Sequence, residues 1–178
     1  YGKAENRVVR IVRDSARHEI VDLNVTTQLR GAALKDSYLT GDNSLVVATD
    51  TQKNTAFAFA KEHGIPSVEQ YLMGLAEHFT SSFEWIEGGL FQAEQYEWER
   101  IVVDGDEHDH SFVRKGQGTR LAAVQSVDGR LHLTGGVTDL TVLKSTGSEF
   151  SGFPRDRFTT LPETTDRIMA TSVTARWR

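Results

Sequence analysis

Val68, Tyr71, Leu72, Leu75, Ala76 and Phe79 recur at intervals of three and four residues. That spacing puts them on one continuous stripe of an α-helix, which must bury its apolar face against another layer. Pro66-Ser67 directly before the stripe is a helix start. A preceding helix is predicted from about Asp50 to Glu62, ending at His63-Gly64 with Pro66 beyond as a stop. Two adjacent helices, one strongly one-sided, require a sheet beneath them.

The rest of the chain supplies strands. Arg7–Arg13 is rich in β-branched residues, and a second strand is expected from about His18 to Leu29, with Ile20, Leu23, Val25 and Leu29 as its apolar members. "LKDSYLTGDN" reads as a polar connection into "SLVVATDTQKNT". After the helices, "LFQAEQYEWERIVVDG" resumes the strands, with Tyr96, Trp98, Arg100 and Val102 sharing a face. "RLAAVQSV" and "RLHLTGG" are joined by Asp128-Gly129, a type I′ hairpin signal. "LTVLKSTG" reads as a short strand, and 145–167 as a long polar connection carrying aromatics. Strand, strand, helix, helix, strand, strand is an α+β pattern: an antiparallel sheet with two helices on one face.

Composition narrows the function. At 178 residues the chain can bury a substantial core. A net charge of −5 with interspersed signs argues against nucleic acid as a partner. With no cysteine there are no disulfides, no thiol catalysis and no cysteine-ligated metal. No apolar run approaches membrane-spanning length, and no signal-peptide pattern opens the chain. The chain begins at Tyr1 without an initiator Met and stops at Arg178 inside the alternating pattern Val173, Ala175, Trp177. Those ends predict a longer polypeptide.

Four stretches are chemically suggestive, each with a plain structural alternative. Thr49 with Gln52 fits a capping box, and a helix start there would also point free N–H groups at an anion. In "DGDEHDHSF", His108 and His110 would share a face of an extended chain, a workable pair of metal ligands that falls short of a closed site. The 140–167 segment combines Phe150, Phe153 and Phe158 with Arg155, Arg157 and Arg167. A planar anion needs a stacking face and a bidentate fork, and phenylalanine plus arginine supply both. Alternatively, the rings cover a sheet edge and Arg167 pairs with Asp166 or Glu163. Lys3 in "YGKAENRVVR" reads by default as a surface lysine.

Taken together, "YGK", "DNSLVVATDTQKNT", "DGDEHDHSF" and "LTVLKSTGSEFSGFPRDRFTTLPETTDRI" resemble, in order, the signatures of urate oxidases (uricases) across essentially the whole chain. Asp139 replaces the family's glycine before Leu140, and Pro154 and Pro162 stand within the loop. The resemblance implies a T-fold (tunnelling fold), whose ββααββ unit occurs twice in tandem and assembles as a homotetramer. Residues 1–144 would be the first unit. Residues 145–178 would be an active-site loop and the start of the connection to a second, C-terminal unit absent from this chain.

The resemblance further implies oxidation of urate by O₂ to 5-hydroxyisourate and hydrogen peroxide, with no cofactor and no metal. Urate itself supplies the electrons, leaving the protein to orient it and move protons. Lys3 would match the base and Thr49 the hydroxyl it activates; burial at a subunit interface favours a neutral amine. The Thr49 and Asp50 backbone N–H groups would face the five-membered ring, Phe150 would stack on the purine, Arg167 would grip its pyrimidine side, and Leu161 would wall the pocket. In the family, the threonine and aspartate enter from a neighbouring subunit, and a glutamine, an asparagine and a histidine come from the second unit. Localisation would be cytoplasmic, or peroxisomal in a eukaryote. The competing readings are a non-catalytic T-fold assembly module and a T-fold enzyme acting on another planar heterocycle such as a pterin.

Overall fold

The computed structural model describes residues 1–178. Its strands are β1 (Gly2–Val12), β2 (Glu19–Arg30), β3 (Gly88–Tyr96), β4 (Trp98–Val103), β5 (Asp106–Arg114), β6 (Thr119–Val127), β7 (Arg130–Phe150) and β8 (Thr164–Trp177). Its helices are α1 (Asp36–Leu39, one turn), α2 (Thr49–Glu62) and α3 (Val68–Ser82). Six strands form one antiparallel sheet in the order β1-β2-β3-β6-β7-β8, while β4 and β5 make a separate two-stranded sheet.

Strand alternation builds the core. Leu23, Val25, Thr27 and Leu29 of β2 lie on one face, and the register carries that face sideways through Phe91 and Ala93 of β3 to Ala122 and Val124 of β6. The predicted stripe of α3 lands there, with all six of its residues buried. Phe79 stacks at 6.1 Å on Phe91 and at 6.4 Å on Phe83. Ser67 caps α3 by accepting from the Gln70 N–H at 3.1 Å. Helix α2 lies over β1 through a narrow seam of Gln52, Ala56 and Ala60. Arg10 of β1 donates to the Ala60 and Lys61 carbonyls, placing a cation at the negative end of that helix. Tyr71 ties the two helices by donating to the Ala56 carbonyl at 2.8 Å, and burial pushes its phenol pKa up.

The elements β1, β2, α2, α3, β3 and β6 follow the expected ββααββ order, with three differences around them. The polar connection after β2 contains a 3-10 turn (Ala32–Lys35) and α1, anchored by buried Leu34. Tyr96 and Trp98 do not belong to one strand: the chain leaves the main sheet at Glu97, because the Trp98 indole donates to buried Asp22 at 2.8 Å. Asp22 is also gripped by Arg7, so one carboxylate fastens the β4–β5 hairpin to the sheet. Finally, "RLHLTGG" and "LTVLKSTG" are not two strands but parts of β7, which runs unbroken to Phe150 and absorbs the start of the expected 145–167 connection. The division at 144/145 thus falls inside β7. The Asp128-Gly129 turn has φ of 51° and 71°, as a type I′ hairpin requires.

β7 and β8 continue together as a two-stranded arm past Thr138, the last β7 residue paired with β6. At about 3.3 Å per residue, that arm carries Phe150 on the order of 40 Å beyond the shared sheet.

Candidate active site

Lys3, Thr49 and Asp50 gather at the β1 edge. Lys3 is half-buried and sits across the ladder from Thr27. Directly after it β1 carries a bulge: the register shifts between Lys3 and Asn6, and Glu5 takes φ of 56°. The amide of Asn6 fixes the bulge from inside, donating to the Val25 carbonyl at 3.2 Å and to the Lys3 carbonyl at 3.4 Å. Bulges commonly re-aim a side chain next to a functional site.

Helix α2 begins at Thr49, with Ala48 as its N-cap and no side-chain capping bond. The expected capping box is therefore absent. Gln52 turns inward instead, fully buried, where its amide accepts from the Thr27 hydroxyl at 2.9 Å and donates to the Val47 carbonyl at 3.3 Å. A side chain held in the core cannot also reach back to the helix start. The Thr49 hydroxyl is left uncommitted and exposed, beside first-turn N–H groups that have no intrahelical partner. The Asp50 carboxylate binds Lys53 at 2.5 Å and Asn54 at 2.9 Å. Lys53 is the main reason its pKa falls below the usual carboxylate range, and the charge of Lys3 adds to the effect. Lys3 and the α2 N-terminus are thus electrostatic neighbours. A cleft of about 490 Å³, lined by Tyr1, Lys3, Thr27 and Gln28 among others but by no residue of α2, opens at Lys3.

Phe150, Leu161 and Arg167 gather at the tip of the arm. Ladder register places Arg167 opposite Ser148, and its guanidinium carbon lies 5.7 Å from the Phe150 ring centroid. Phe153 stacks on Phe150 at 4.7 Å with the planes only 9° apart, backing the ring. Arg167 does not pair with Asp166 or Glu163. Asp166 instead accepts from the Gly147 N–H at 2.6 Å and the Thr146 hydroxyl at 2.9 Å, bonds that hold its pKa down. Glu163 accepts from the Gly152 N–H at 3.2 Å. Arg155 reaches the Leu161 carbonyl at 3.2 Å and lies 5.2 Å from the Phe153 ring. Phe150 and Leu161 are each 44% exposed, so a stacking face and a guanidinium stand open on the arm.

The two groups do not meet. β1 and β8 are opposite edges of a six-stranded sheet, roughly 24 Å apart at 4.7–4.9 Å per strand before the reach of the arm is added. No hydrogen bond, ion pair or ring contact links them.

His108 and His110 both stand on β5 with their Nδ1 atoms 3.2 Å apart, and His18 packs edge-on against His110 at 5.7 Å. No group of three or more His, Asp or Glu side chains converges to hold a metal. No helix is long and apolar enough to cross a membrane.

Sequence reasoning missed the buried polar residues behind the β1-edge group: Asn6, Thr27 and Gln52. A signal did exist. Thr27 interrupts the apolar alternation Leu23, Val25, Leu29, and Gln52 sits one turn before Ala56 on the buried seam of α2. A polar residue at a core-periodic position implies a specific partner.

The uricase family model matches residues 1–125 and 133–178. The chain is 53% identical over 178 residues to a uricase of Arthrobacter globiformis, covering all of this chain and 57% of the relative. It is 40% identical to a uricase of Dictyostelium discoideum, covering 99% of this chain and 62% of that one. Among solved structures, the Arthrobacter globiformis uricase superposes with a TM-score of 0.89 at 52% identity, over 99% of this chain and 60% of that one. A uricase from Bacillus fastidious superposes with a TM-score of 0.86 at 27% identity, over 100% of this chain and 63% of that one. The chain therefore spans less than two thirds of the length of these relatives.

Proposed function

From the premise that the chain belongs to the uricase family, we propose that it forms part of an enzyme that oxidises urate with O₂ and water to 5-hydroxyisourate and hydrogen peroxide. The observation that carries this reading is the open Phe150 ring with Arg167 beside it. A flat purine anion matches that pair, with its π-face on the phenylalanine and its carbonyl and ring nitrogen facing the guanidinium. Leu161 closes the apolar side of the pocket.

Lys3 and Thr49 carry the proton transfers. The Lys3 amine takes a proton from the Thr49 hydroxyl, which takes one from the urate monoanion. The resulting dianion passes two electrons to O₂ in single steps, O₂ leaves as peroxide after gaining two protons, and water adds to the oxidised purine at C5. The backbone N–H groups of Thr49 and Asp50 hold the five-membered ring. The chemistry needs neither metal nor organic cofactor, since substrate and O₂ exchange the electrons directly.

Because the two residue groups lie at opposite edges of one sheet, a complete site joins the arm of one subunit to the β1 edge of another. Residues 1–144 form the first T-fold unit, and 145–178 supply the substrate loop and lead toward a second unit. Polypeptides carrying both units assemble as homotetramers, in the cytoplasm or in the peroxisome of a eukaryote. The test is loss of urate absorbance with stoichiometric peroxide release by the assembled protein. Absence of both sinks the reading.

A further inference from the structure

The fold contains few buried polar side chains: Asn6, Asp22, Thr27, Gln52 and Ser126. Asp22 fastens the β4–β5 hairpin. Asn6, Thr27 and Gln52 lie behind the Lys3–Thr49 pair. Burying an amide or hydroxyl is favourable only when its hydrogen bonds are made, and apolar residues fill such positions more easily. Their concentration at this one place calls for a local reason.

The bonds of Thr27 and Gln52 form a single frame, while Asn6 separately fixes the β1 bulge. Thr27 pairs with Lys3 across the β1–β2 ladder, and its hydroxyl donates to Gln52, the fourth residue of α2, one turn into the helix that Thr49 begins. Gln52 then donates to the Val47 carbonyl, which also accepts from the Tyr1 hydroxyl at 2.8 Å. Tyr1 in turn stands two residues before Lys3. The strand carrying the amine and the helix carrying the hydroxyl are thereby cross-linked twice, through Thr27 and through Tyr1. Tyr1 and Thr27 also line the cleft at Lys3, whereas Gln52 does not.

We infer that Gln52 is a positioning residue that fixes the Thr49 hydroxyl relative to the Lys3 amine, acting through Thr27 and the Val47 carbonyl. This rests on the proton-transfer roles proposed above. Without the frame, α2 remains a helix packed on β1 through Ala56 and Ala60, but its first turn is free to shift by fractions of an ångström. Proton transfer is sensitive to such shifts, whereas stacking and ion pairing on the arm are not.

The experiment uses the full-length assembled protein carrying Gln52→Met, Thr27→Val or Thr27→Ser. Gln52→Met and Thr27→Val keep the volume and remove the bonds; Thr27→Ser keeps the hydroxyl. Steady-state rates are measured with urate across pH, together with melting temperature. The expected result is a kcat lower by roughly 10- to 100-fold in Gln52→Met and Thr27→Val. KM should change far less than kcat, because Phe150 and Arg167 still hold the purine while the Thr49 and Asp50 N–H groups move with the hydroxyl, and the pH profile of kcat should be displaced. Thr27→Ser should recover most of the rate. Thr27→Val carries the test if Gln52→Met fails to assemble. Folded variants with wild-type kcat and pH profile overturn the inference while leaving the functional reading intact. A wild-type assembly that leaves urate unoxidised overturns both.

Discussion

The Arg167 guanidinium carbon lies 5.7 Å from the centroid of the Phe150 ring, because the β7–β8 ladder sets Arg167 against Ser148, two residues before the phenylalanine. The pair is therefore built on strand backbone rather than on loop, and Phe153 backs the ring from behind. Rigid support of this kind suits a site that must hold a flat anion in one orientation.

Removing the fork and removing the amine should have different kinetic signatures. In the assembled protein, Arg167→Ala should abolish measurable urate binding, or raise KM by at least about 10- to 100-fold, the range for a lost charge-assisted hydrogen bond. Lys3→Met should leave binding near normal and lower kcat by roughly 100- to 10,000-fold, the range for a missing general base. Steady-state kinetics with a parallel binding measurement on a non-oxidisable purine anion separates the two. Equal, mild losses in both variants would contradict the assigned roles.

Asp166 ties the β7 irregularity to β8 through the Gly147 N–H and the Thr146 hydroxyl, and those bonds lower its pKa. A depressed carboxylate pKa contributes stability that is complete above the unfolded value, about 3.9, and is lost as pH falls through the folded value. An NMR titration of the Asp166 carboxyl should show a midpoint below that of a free aspartate. Asp166→Asn should loosen the 145–148 backbone, read as faster amide exchange at Gly147, even at neutral pH.

Prolonged dialysis against a strong chelator should leave urate turnover unchanged, and His108→Ala should too. The two histidines contact each other on the β4–β5 hairpin, and His110 packs against His18 just before β2; Trp98 and Arg100 tie that hairpin to the Asp22 carboxylate and the His18 carbonyl at the β1–β2 end of the sheet. Loss of activity restored by added metal would show that the reaction proceeds by another route.

Phe79 is fully buried between Phe83 and Phe91. Phe79→Ala should cost about 3–5 kcal/mol of folding stability through lost burial and the cavity left behind. Chemical denaturation checks this, and a cost below about 1 kcal/mol would mean that α3 does not rest on the sheet as described.

The parts of the molecule that were legible in the sequence were those with a repeating pattern. The α3 stripe, the Ser67 start signal and the Asp128-Gly129 turn each follow from local geometry that side-chain type dictates. What escaped depended on partners distant in sequence. Thr49 looked like a cap because Gln52 stood at the correct spacing, but Thr27, far upstream, offered Gln52 a buried bond. Trp98 left the line of Tyr96 for Asp22, and the 145–150 stretch became strand because β8 arrived to pair with it. The placement of Lys3 and Arg167 at opposite edges follows from strand order, which no local pattern encodes.

That separation makes subunit complementation the most direct test. One full-length variant carries Lys3→Met with Thr49→Ala, and the other carries Phe150→Ala with Arg167→Ala; each assembled alone should be inactive. Co-expressed and randomly mixed, they should recover about a quarter of wild-type turnover, since half of the pairwise interfaces are hybrid and each hybrid pair holds one intact site of two. Mixed assemblies that stay as inactive as either parent would show that the two groups serve one site within a single subunit, or no common site.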